Sequence, residues 1–203
     1  MPILQNWLKK DDRTSRAKML TLLRRRLAGY IAITDSPGSE LVPELMELYP
    51  DAKVVCTVRD PVLWETSMLH VQSLTGVWFA RAVLPLDGLR HFIPYGYLLA
   101  ALWEKLYGGV PGQHGRETYA SHIAWLKEVV PEDRLVFFDV RDGWGPLCEA
   151  LSVEAPVGVP FPRINDSEAI ERSINHHFRR GLMRWACIFA VFGVGVTAFR
   201  MWR

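Results

Sequence analysis

The chain has 203 residues and a mass of 23.2 kDa, with 49% hydrophobic and 23% charged residues. These values are typical of a globular domain with a sizeable core and exclude a long disordered chain. All 22 acidic residues precede position 172, whereas six arginines follow position 171, so the first 171 residues carry a formal charge of −4 and the remainder +6. A basic tail on an acidic body predicts a membrane surface or an acidic partner for the tail, and no nucleic-acid partner.

The three cysteines, Cys56, Cys148 and Cys187, are odd in number and far apart in the sequence. No metal-ligand spacing and no disulfide framework can be built from them, so the sequence predicts buried structural thiols in a reducing compartment and no metal site. The N-terminal residues are polar and become charged too early for a secretory signal peptide.

The N-terminal part of the chain predicts a mixture of helices and strands. Leucines at helical spacing predict a helical N-terminal segment over residues 1–29. A first short strand is predicted over residues 30–34 and a short helix over residues 40–48. The β-branched run over residues 53–58 predicts a strand that is buried on both faces.

Strands and helices alternate along the rest of the chain. Asp60 can cap a helix that starts at Pro61, where the missing proline N–H removes no hydrogen bond. The remaining predicted elements are helices between residues 76 and 112 with breaks at Pro85 and Pro94, a helix over 117–130, a strand over 135–140, a helix from Pro146 and a last helix capped by Asn165 or Asp166. This alternation predicts an α/β layered domain with a parallel sheet.

Arg59 directly follows the central predicted strand, and ligands of open α/β sheets bind at the carboxyl ends of strands. Ser67 follows about two helical turns later and can point toward the same crevice. An arginine and a hydroxyl close to a helix N-terminus predict a phosphate site. The alternative is that Arg59 pairs with a surface carboxylate.

An uncharged run of 15 residues, Trp185 to Phe199, lies close to the C-terminus. A helix rises about 1.5 Å per residue, so a span over about residues 182–202 crosses the roughly 30 Å of a bilayer core if Arg184 and Arg200 extend to the headgroups. The sequence therefore predicts a single-pass membrane anchor within residues 167–203. Four arginines precede the run and two follow it, which predicts a cytosolic body. The alternative is a buried C-terminal helix of a cytoplasmic protein.

Three stretches carry a resemblance to a known family. They are TDSPGSELVPELMELYPDAKVVCTVRDPVLWETS over residues 34–67, PEDRLVFFDVRDGWGPLCEAL over residues 131–151 and PFPRIND over residues 160–166. Together they resemble a sulfotransferase-like branch of the P-loop NTPase fold. The resemblance implies a P-loop-type three-layer α/β/α domain with a parallel sheet over residues 30–166, followed by the hydrophobic C-terminal helix.

The same resemblance implies site residues and a co-substrate. In sulfotransferases, the arginine of an Arg-Asp-Pro turn and the serine eight positions later hold the 3′-phosphate of 3′-phosphoadenosine 5′-phosphosulfate (PAPS); these positions are Arg59 and Ser67 here. The Thr-His-x-Pro turn of the cytosolic enzymes reads Thr-Asp-Ser-Pro here, so Asp35 takes the position of the catalytic base. A carboxylate can accept the proton of an acceptor group. The alternative is that Asp35 only caps its turn or the following helix.

One part of the family pattern is missing from the sequence. Sulfotransferases hold the 5′-phosphosulfate with a first strand and a loop of Gly, Ser and Thr, whereas residues 1–29 contain a single glycine and the chain has no G-x-x-x-x-G-K-[ST] motif. We therefore expect a sheet that is incomplete at the N-terminus and a chain that binds the 3′ end of the nucleotide at best.

Three interpretations of the sequence stay open. The first is a membrane-tethered sulfotransferase that transfers sulfuryl from PAPS to a hydroxyl or amine of a small-molecule or lipid acceptor. The second is a non-catalytic, membrane-anchored relative that acts as a binding or interaction protein. The third is a truncated form of a working enzyme, and an upstream strand with a phosphate-binding loop would distinguish it from the other two.

Overall fold

A computed structural model of the protein describes residues 13–75, 79–108, 115–162 and 167–203. The predicted helix caps Asn165 and Asp166, and the part of the predicted N-terminal helical segment before Arg13, lie outside the described residues. The chain divides into two compact units. The first comprises Met1–Thr66 and Tyr97–Pro162, and the second comprises Ser67–Gly96 and Arg163–Arg203.

The regular elements are mostly helices. In chain order they are α1 (Arg13–Leu27), α2 (Val42–Leu48), β1 (Val54–Thr57), α3 (Pro61–Thr75), α4 (Ala80–Val83), the 3₁₀ turn Leu84–Asp87, α5 (Phe92–Tyr107), α6 (Arg116–Val129), the 3₁₀ turn Glu132–Arg134, β2 (Leu135–Phe138), the 3₁₀ turn Val140–Asp142, α7 (Trp144–Leu151) and α8 (Ser167–Trp202). The helices predicted over 40–48 and 117–130 and the strands predicted over 53–58 and 135–140 are confirmed to within two residues at each end.

The two strands form a parallel pair, with Val54 opposite Leu135 and Thr57 opposite Phe138. The Arg134 side chain donates to the carbonyls of Ala52 (2.8 Å) and Tyr49 (3.3 Å), which holds the start of β2 against the segment that leads into β1. The predicted parallel sheet is therefore confirmed. Within the described residues this sheet has two strands, so the three-layer P-loop arrangement stays a proposal.

Two apolar clusters form the core of the first unit, and α2 contributes to both. Leu41, just before α2, packs with Met19 of α1 and Leu102 of α5. Val42, the first residue of α2, packs with Cys56 of β1 and with a second cluster centred on α6. Because successive side chains of a helical turn point about 100° apart, these two neighbours reach opposite clusters and join the helices to the sheet.

The first predicted strand, over residues 30–34, is not formed. This segment has no strand conformation, and the side chains of Tyr30 and Ile31 are exposed. A strand is held by pairing with a neighbour, and β1 and β2 pair only with each other in the described part of the chain. The β-branched and aromatic composition of the segment is therefore not sufficient to make it a strand.

The predicted helix break at Pro94 is also wrong. Helix α5 begins at Phe92, so Pro94 lies in its first turn. The N–H groups of a first turn have no partner inside the helix, and a proline there removes no hydrogen bond. Pro85 likewise lies at the start of the 3₁₀ turn Leu84–Asp87.

Helix α8 is 36 residues long. Its buried and half-buried residues lie on one face and end at Trp185; they are Ala169, Ile170, Ile174, His177, Phe178, Gly181 and Trp185. Every residue from Ala186 to Arg203 is exposed. Among the described residues, α8 is the one helix long and apolar enough to cross a membrane.

Cys56 and Cys148 are buried as predicted, but Cys187 lies in the exposed part of α8, so the buried thiol predicted there is wrong.

Candidate functional site

Arg59 lies two residues after β1, at the carboxyl end of the parallel pair. The Tyr119 hydroxyl of α6 donates to the Arg59 carbonyl and accepts from the Arg59 N–H, both at 3.0 Å. The Tyr119 ring in turn packs against Trp64, with ring centroids 5.3 Å apart. The backbone of Arg59 is thus fixed without help from its own side chain, which is exposed.

Asp60 caps α3, as the sequence predicts. Its Oδ1 accepts from the N–H groups of Val62 (2.8 Å) and Leu63 (3.0 Å), and its carbonyl accepts from the N–H of Trp64 (2.9 Å). Pro61 has no N–H to offer. The first turn of α3 therefore leaves no backbone donor for an anion, so a phosphate near Arg59 has to bind to side chains and not to the helix N-terminus.

Ser67 lies on α3, six residues after Pro61, and its side chain is half-buried. It is also the first residue of the second unit. Neither the Arg59 guanidinium nor the Ser67 hydroxyl has a hydrogen-bond or ion-pair partner within the described ranges. The alternative prediction for Arg59, an ion pair with a surface carboxylate, is therefore not realised among the described residues.

The carboxyl end of β2 brings a second charged pair to this edge of the sheet. Arg141 Nε donates to both carboxylate oxygens of Asp139, at 2.9 and 3.1 Å, and the Arg141 N–H donates at 2.9 Å. These bonds, and to a smaller degree the charge of Arg59, lower the pKa of Asp139 to about 2. This pair was not among the residues predicted from the sequence, although parallel strands end at one edge of a sheet. The described residues hold no group of three or more His, Cys, Asp or Glu side chains placed to bind a metal ion.

Asp35, the candidate base, lies in an exposed turn before α2. Its φ of 62° is in the left-handed region, which Asp tolerates better than most residues. The Asp35 Oδ1 accepts from the N–H of Ser36 (2.8 Å), and its carbonyl accepts from the N–H groups of Gly38 (2.9 Å) and Ser39 (3.2 Å). The carboxylate thus makes the turn contact that the alternative prediction describes, and it is accessible from solvent.

Glu40 is the buried carboxylate that follows this turn, with 2% of its surface exposed. Its Oε1 accepts from Ser36 Oγ (2.5 Å) and from Trp103 Nε1 of α5 (2.6 Å). Its Oε2 is buried and has no hydrogen-bond partner in the described part of the chain. Sequence reasoning missed Glu40, because a glutamate at the start of a short helix ordinarily points into solvent.

Tyr107 and His122 form a half-buried polar pair in the first unit. The Tyr107 hydroxyl and His122 Nδ1 are 2.6 Å apart and share a hydrogen bond. Burial raises the pKa of Tyr107 well above its ordinary value of 10.0, and the charge of Glu40 acts in the same direction. Burial lowers the pKa of His122, against a smaller opposite effect of Glu40. The three polar groups are therefore close enough to interact electrostatically.

The chain is similar to known proteins over most of its length. The sulfotransferase domain matches residues 1–170, most of the chain. The chain is also similar to the Ava biosynthesis cluster protein M of Aspergillus versicolor, with 28% identity over 187 residues that cover 87% of this chain and 70% of that protein. The chain belongs to the sulfotransferase domain family.

Proposed function

We propose that the chain binds PAPS, or the product 3′-phosphoadenosine 5′-phosphate, through the 3′-phosphate, with Arg59 and Ser67 as ligands. The fixed backbone and exposed, unpaired guanidinium of Arg59 carry this proposal. A guanidinium can bind a phosphate through two parallel N–H···O bonds. Asp139 attracts Arg59 only weakly, and its carboxylate is bonded to Arg141.

The fold proposed for this site is a P-loop-type three-layer domain over residues 30–166. The parallel register of β1 and β2 supports it, as does the position of Arg59 at their carboxyl edge, where such sheets bind ligands. The matched sulfotransferase domain also supports it. In this proposal, residues 167–203 form a separate C-terminal helix.

The reaction we propose is transfer of sulfuryl from PAPS to a hydroxyl or amine of a small-molecule or lipid acceptor. PAPS supplies the sulfuryl group. Asp35 is the candidate base, since it is exposed and an acceptor can reach it. The similar Aspergillus versicolor protein takes its name from a biosynthesis cluster, which supports a small-molecule acceptor.

A second candidate function is binding of the nucleotide without transfer. Two observations favour it: the sequence has no G-x-x-x-x-G-K-[ST] motif for the 5′-phosphosulfate, and Asp35 Oδ1 is engaged in its own turn. Stabilisation of charge on the transferring group is the main requirement of such reactions. A chain that holds only the 3′ end would bind the nucleotide and leave the sulfuryl group in place.

Calorimetry on the full chain in detergent micelles tests the binding site. We expect 3′-phosphoadenosine 5′-phosphate to bind and ADP, which lacks the 3′-phosphate, to bind at least about tenfold more weakly, since a charge-assisted bidentate contact contributes roughly 1.5–3 kcal/mol. Arg59→Ala should abolish this preference without unfolding the protein, because Tyr119 holds only the Arg59 backbone. The matched control is Arg24→Ala, an exposed arginine of α1. Unchanged binding by Arg59→Ala would overturn the assignment.

A transfer assay with radioactive PAPS and a panel of phenols, alcohols and amines separates the two candidate functions. Transfer that is lost in Asp35→Asn, with nucleotide binding intact, would support an enzyme with Asp35 as its base. Transfer that persists in Asp35→Asn would exclude Asp35 as the base. Nucleotide binding without transfer to any acceptor would favour the second candidate.

We also propose that α8 anchors the chain in a membrane, with the body in the cytosol. The exposed, uncharged run Trp185–Phe199 and the greater number of arginines before it support this orientation. Alkaline carbonate should fail to extract the full chain from membranes, and protease added to the cytosolic side should degrade the body. Extraction by carbonate would contradict the anchor.

A further inference from the structure

Asp87, the last residue of the 3₁₀ turn Leu84–Asp87, contacts α8 within the second unit. Its side chain is fully shielded from solvent and meets three basic side chains from one face of α8. His177 Nδ1 donates to Oδ2 at 2.6 Å, and Arg180 Nε and Arg184 Nη1 lie 3.1 and 3.2 Å from Oδ1. The hydrogen bond from His177, aided by the two arginines, lowers the pKa of Asp87.

Three further contacts fix the same stretch of α8. Trp185 Nε1 donates to the Ala82 carbonyl at 2.8 Å, and the Arg184 side chain also donates to the carbonyl of Leu86. A Cβ on Gly181 would lie 2.5 Å from the carbonyl oxygen of Val83, so only glycine allows this close approach. We call the contacts of Asp87 with His177, Arg180 and Arg184, together with these three, the Asp87 clamp.

The clamp ends where the exposed apolar part of α8 begins. Trp185 is its last residue, and every residue after Trp185 is exposed. No charge follows until Arg200. If α8 enters a bilayer, the entry point therefore lies immediately after the clamp. The carbonyls of Ala82 and Leu86, which bond to Trp185 and Arg184, then lie at the level of the headgroups.

The segment Leu84–Phe92 has the composition of a membrane-surface segment. Its exposed residues are apolar, small or basic, and they are Pro85, Gly88, Arg90, His91 and Phe92. Asp87 is the sole acidic residue between Ser67 and Gly96 in the sequence. Because the clamp shields Asp87 and surrounds it with basic side chains, the segment presents no acidic group to solvent.

We propose that the segment Leu84–Phe92 lies on an anionic phospholipid surface beside the entry point of α8. Phe92 and Pro85 contact the acyl chains close to the headgroups, and Arg90 binds lipid phosphates. Two features support this partner: Leu86 contacts Arg184, just before the apolar run of α8, and the exposed charge of the segment is basic and so complementary to acidic headgroups. The inference rests on the proposed insertion of α8 and adds a second membrane contact to it.

Fluorescent labels on the full chain in vesicles test this placement. Cys187 is exposed on α8 and accepts a label, whereas Cys56 and Cys148 are buried. A label on Cys187 reports on insertion of α8. A label on Phe92→Cys, in a Cys187→Ser background, reports on the proposed surface contact. The vesicles contain phosphatidylcholine alone or phosphatidylcholine with phosphatidylserine.

We expect lipids brominated near the headgroup to quench the label on Phe92→Cys, and aqueous iodide to quench it only weakly, in vesicles that contain phosphatidylserine. Adding Arg90→Glu should reduce the lipid quenching toward its value in phosphatidylcholine alone. The matched control Arg24→Glu, on an exposed position of α1, should leave it unchanged.

The two labels distinguish failure of the proposed surface contact from failure of the proposed membrane anchor. A label on Val153→Cys, an exposed position of the first unit, gives the reference for full access of iodide. If iodide reaches the label on Phe92→Cys equally well while the Cys187 label is protected, the proposed surface contact is wrong and the proposed anchor is retained. If iodide reaches the Cys187 label as well, α8 is not inserted and both proposals are overturned.

Discussion

Glu40 and Asp87 are both shielded carboxylates, one in each compact unit, but their surroundings differ. Each carboxylate has one oxygen without a hydrogen-bond partner in the described part of the chain, but Glu40 accepts from two neutral donors, Ser36 and Trp103. Asp87 meets three basic side chains of one helix. Neutral hydrogen bonds depend on close geometry, whereas a charge attracts basic groups over longer distances. Glu40 therefore joins its own turn to α5 through short hydrogen bonds, and Asp87 holds a stretch of a long helix through charge.

This difference predicts that Asp87→Ala has a larger effect than substitutions of Glu40, Gly181 or Tyr107. The variant leaves His177, Arg180 and Arg184 together on one helix face without the carboxylate that they surround. Loss of the shielded carboxylate removes the acceptor of all three contacts and leaves the basic side chains, which are partly exposed, to repel one another. We expect faster trypsin cleavage at Arg179 and Arg180 than in any other variant, measured in detergent micelles. Cleavage as slow as in the unmodified chain would mean that the clamp does not hold α8.

The pH dependence of cleavage isolates the charge of Asp87. Its pKa is lowered from 3.8, so its contribution to stability is complete above that value and is lost as the pH falls through the lower, folded value. Cleavage of α8 by an acid-active protease should accelerate over that interval. In Asp87→Asn, the rate of cleavage should depend less on pH over this interval. Asp139→Asn is the control, because it removes a carboxylate of the first unit whose pKa is also lowered.

Glu40→Ala should have the next largest effect. Ser36 Oγ and Trp103 Nε1 lose an acceptor and a space opens beside them, which costs roughly 2–4 kcal/mol of unfolding free energy. Glu40→Gln keeps one acceptor oxygen and should cost about 1–2 kcal/mol. Urea unfolding followed by tryptophan fluorescence measures both. Equal losses in the two variants would mean that the negative charge, and not the hydrogen-bond acceptor, matters at this position.

The local elements could be predicted from the sequence, because short-range chemistry determines them. Asp60 and Pro61 mark the start of α3 in the sequence, and Asp60 makes the expected cap contacts. The segment over residues 30–34 was predicted as a strand from composition alone. A strand also needs a neighbour to pair with, and no local pattern shows whether that neighbour is present.

The candidate site was predictable only in part. Arg59 could be found because one element, the strand before it, determines its position at the carboxyl edge. Glu40 and Asp87 could not, because their partners are 63 residues away at Trp103 and 90 residues away at His177. Contacts at such separations depend on how helices pack, which helical spacing within one segment does not reveal.

Gly181→Ala tests the close approach of α8 to Val83 without changing a charge. The added Cβ would meet the Val83 carbonyl oxygen at 2.5 Å, so α8 has to move away from the clamp, at a cost of about 1–3 kcal/mol. Gly195→Ala is the matched control, since nothing lies within 4 Å of its Cβ position. Alanine favours a helix over glycine by about 1 kcal/mol, so this control should not destabilise α8. Equal trypsin sensitivity at Arg184 in both variants would show that the close approach of α8 is unimportant.

Tyr107→Phe should have the smallest effect, because it removes one hydrogen bond to His122 and keeps the ring contacts with Trp103 and Trp125. We expect a loss of about 1 kcal/mol at neutral pH by urea unfolding. The raised pKa of Tyr107 means that the unfolded chain loses the phenol proton first as the pH rises above 10.0, so the folded state loses stability there. Phenylalanine cannot ionise, so the variant should lose less stability than the unmodified chain in alkali. An unchanged alkaline slope would indicate that the Tyr107 hydroxyl is not buried beside Glu40 and His122.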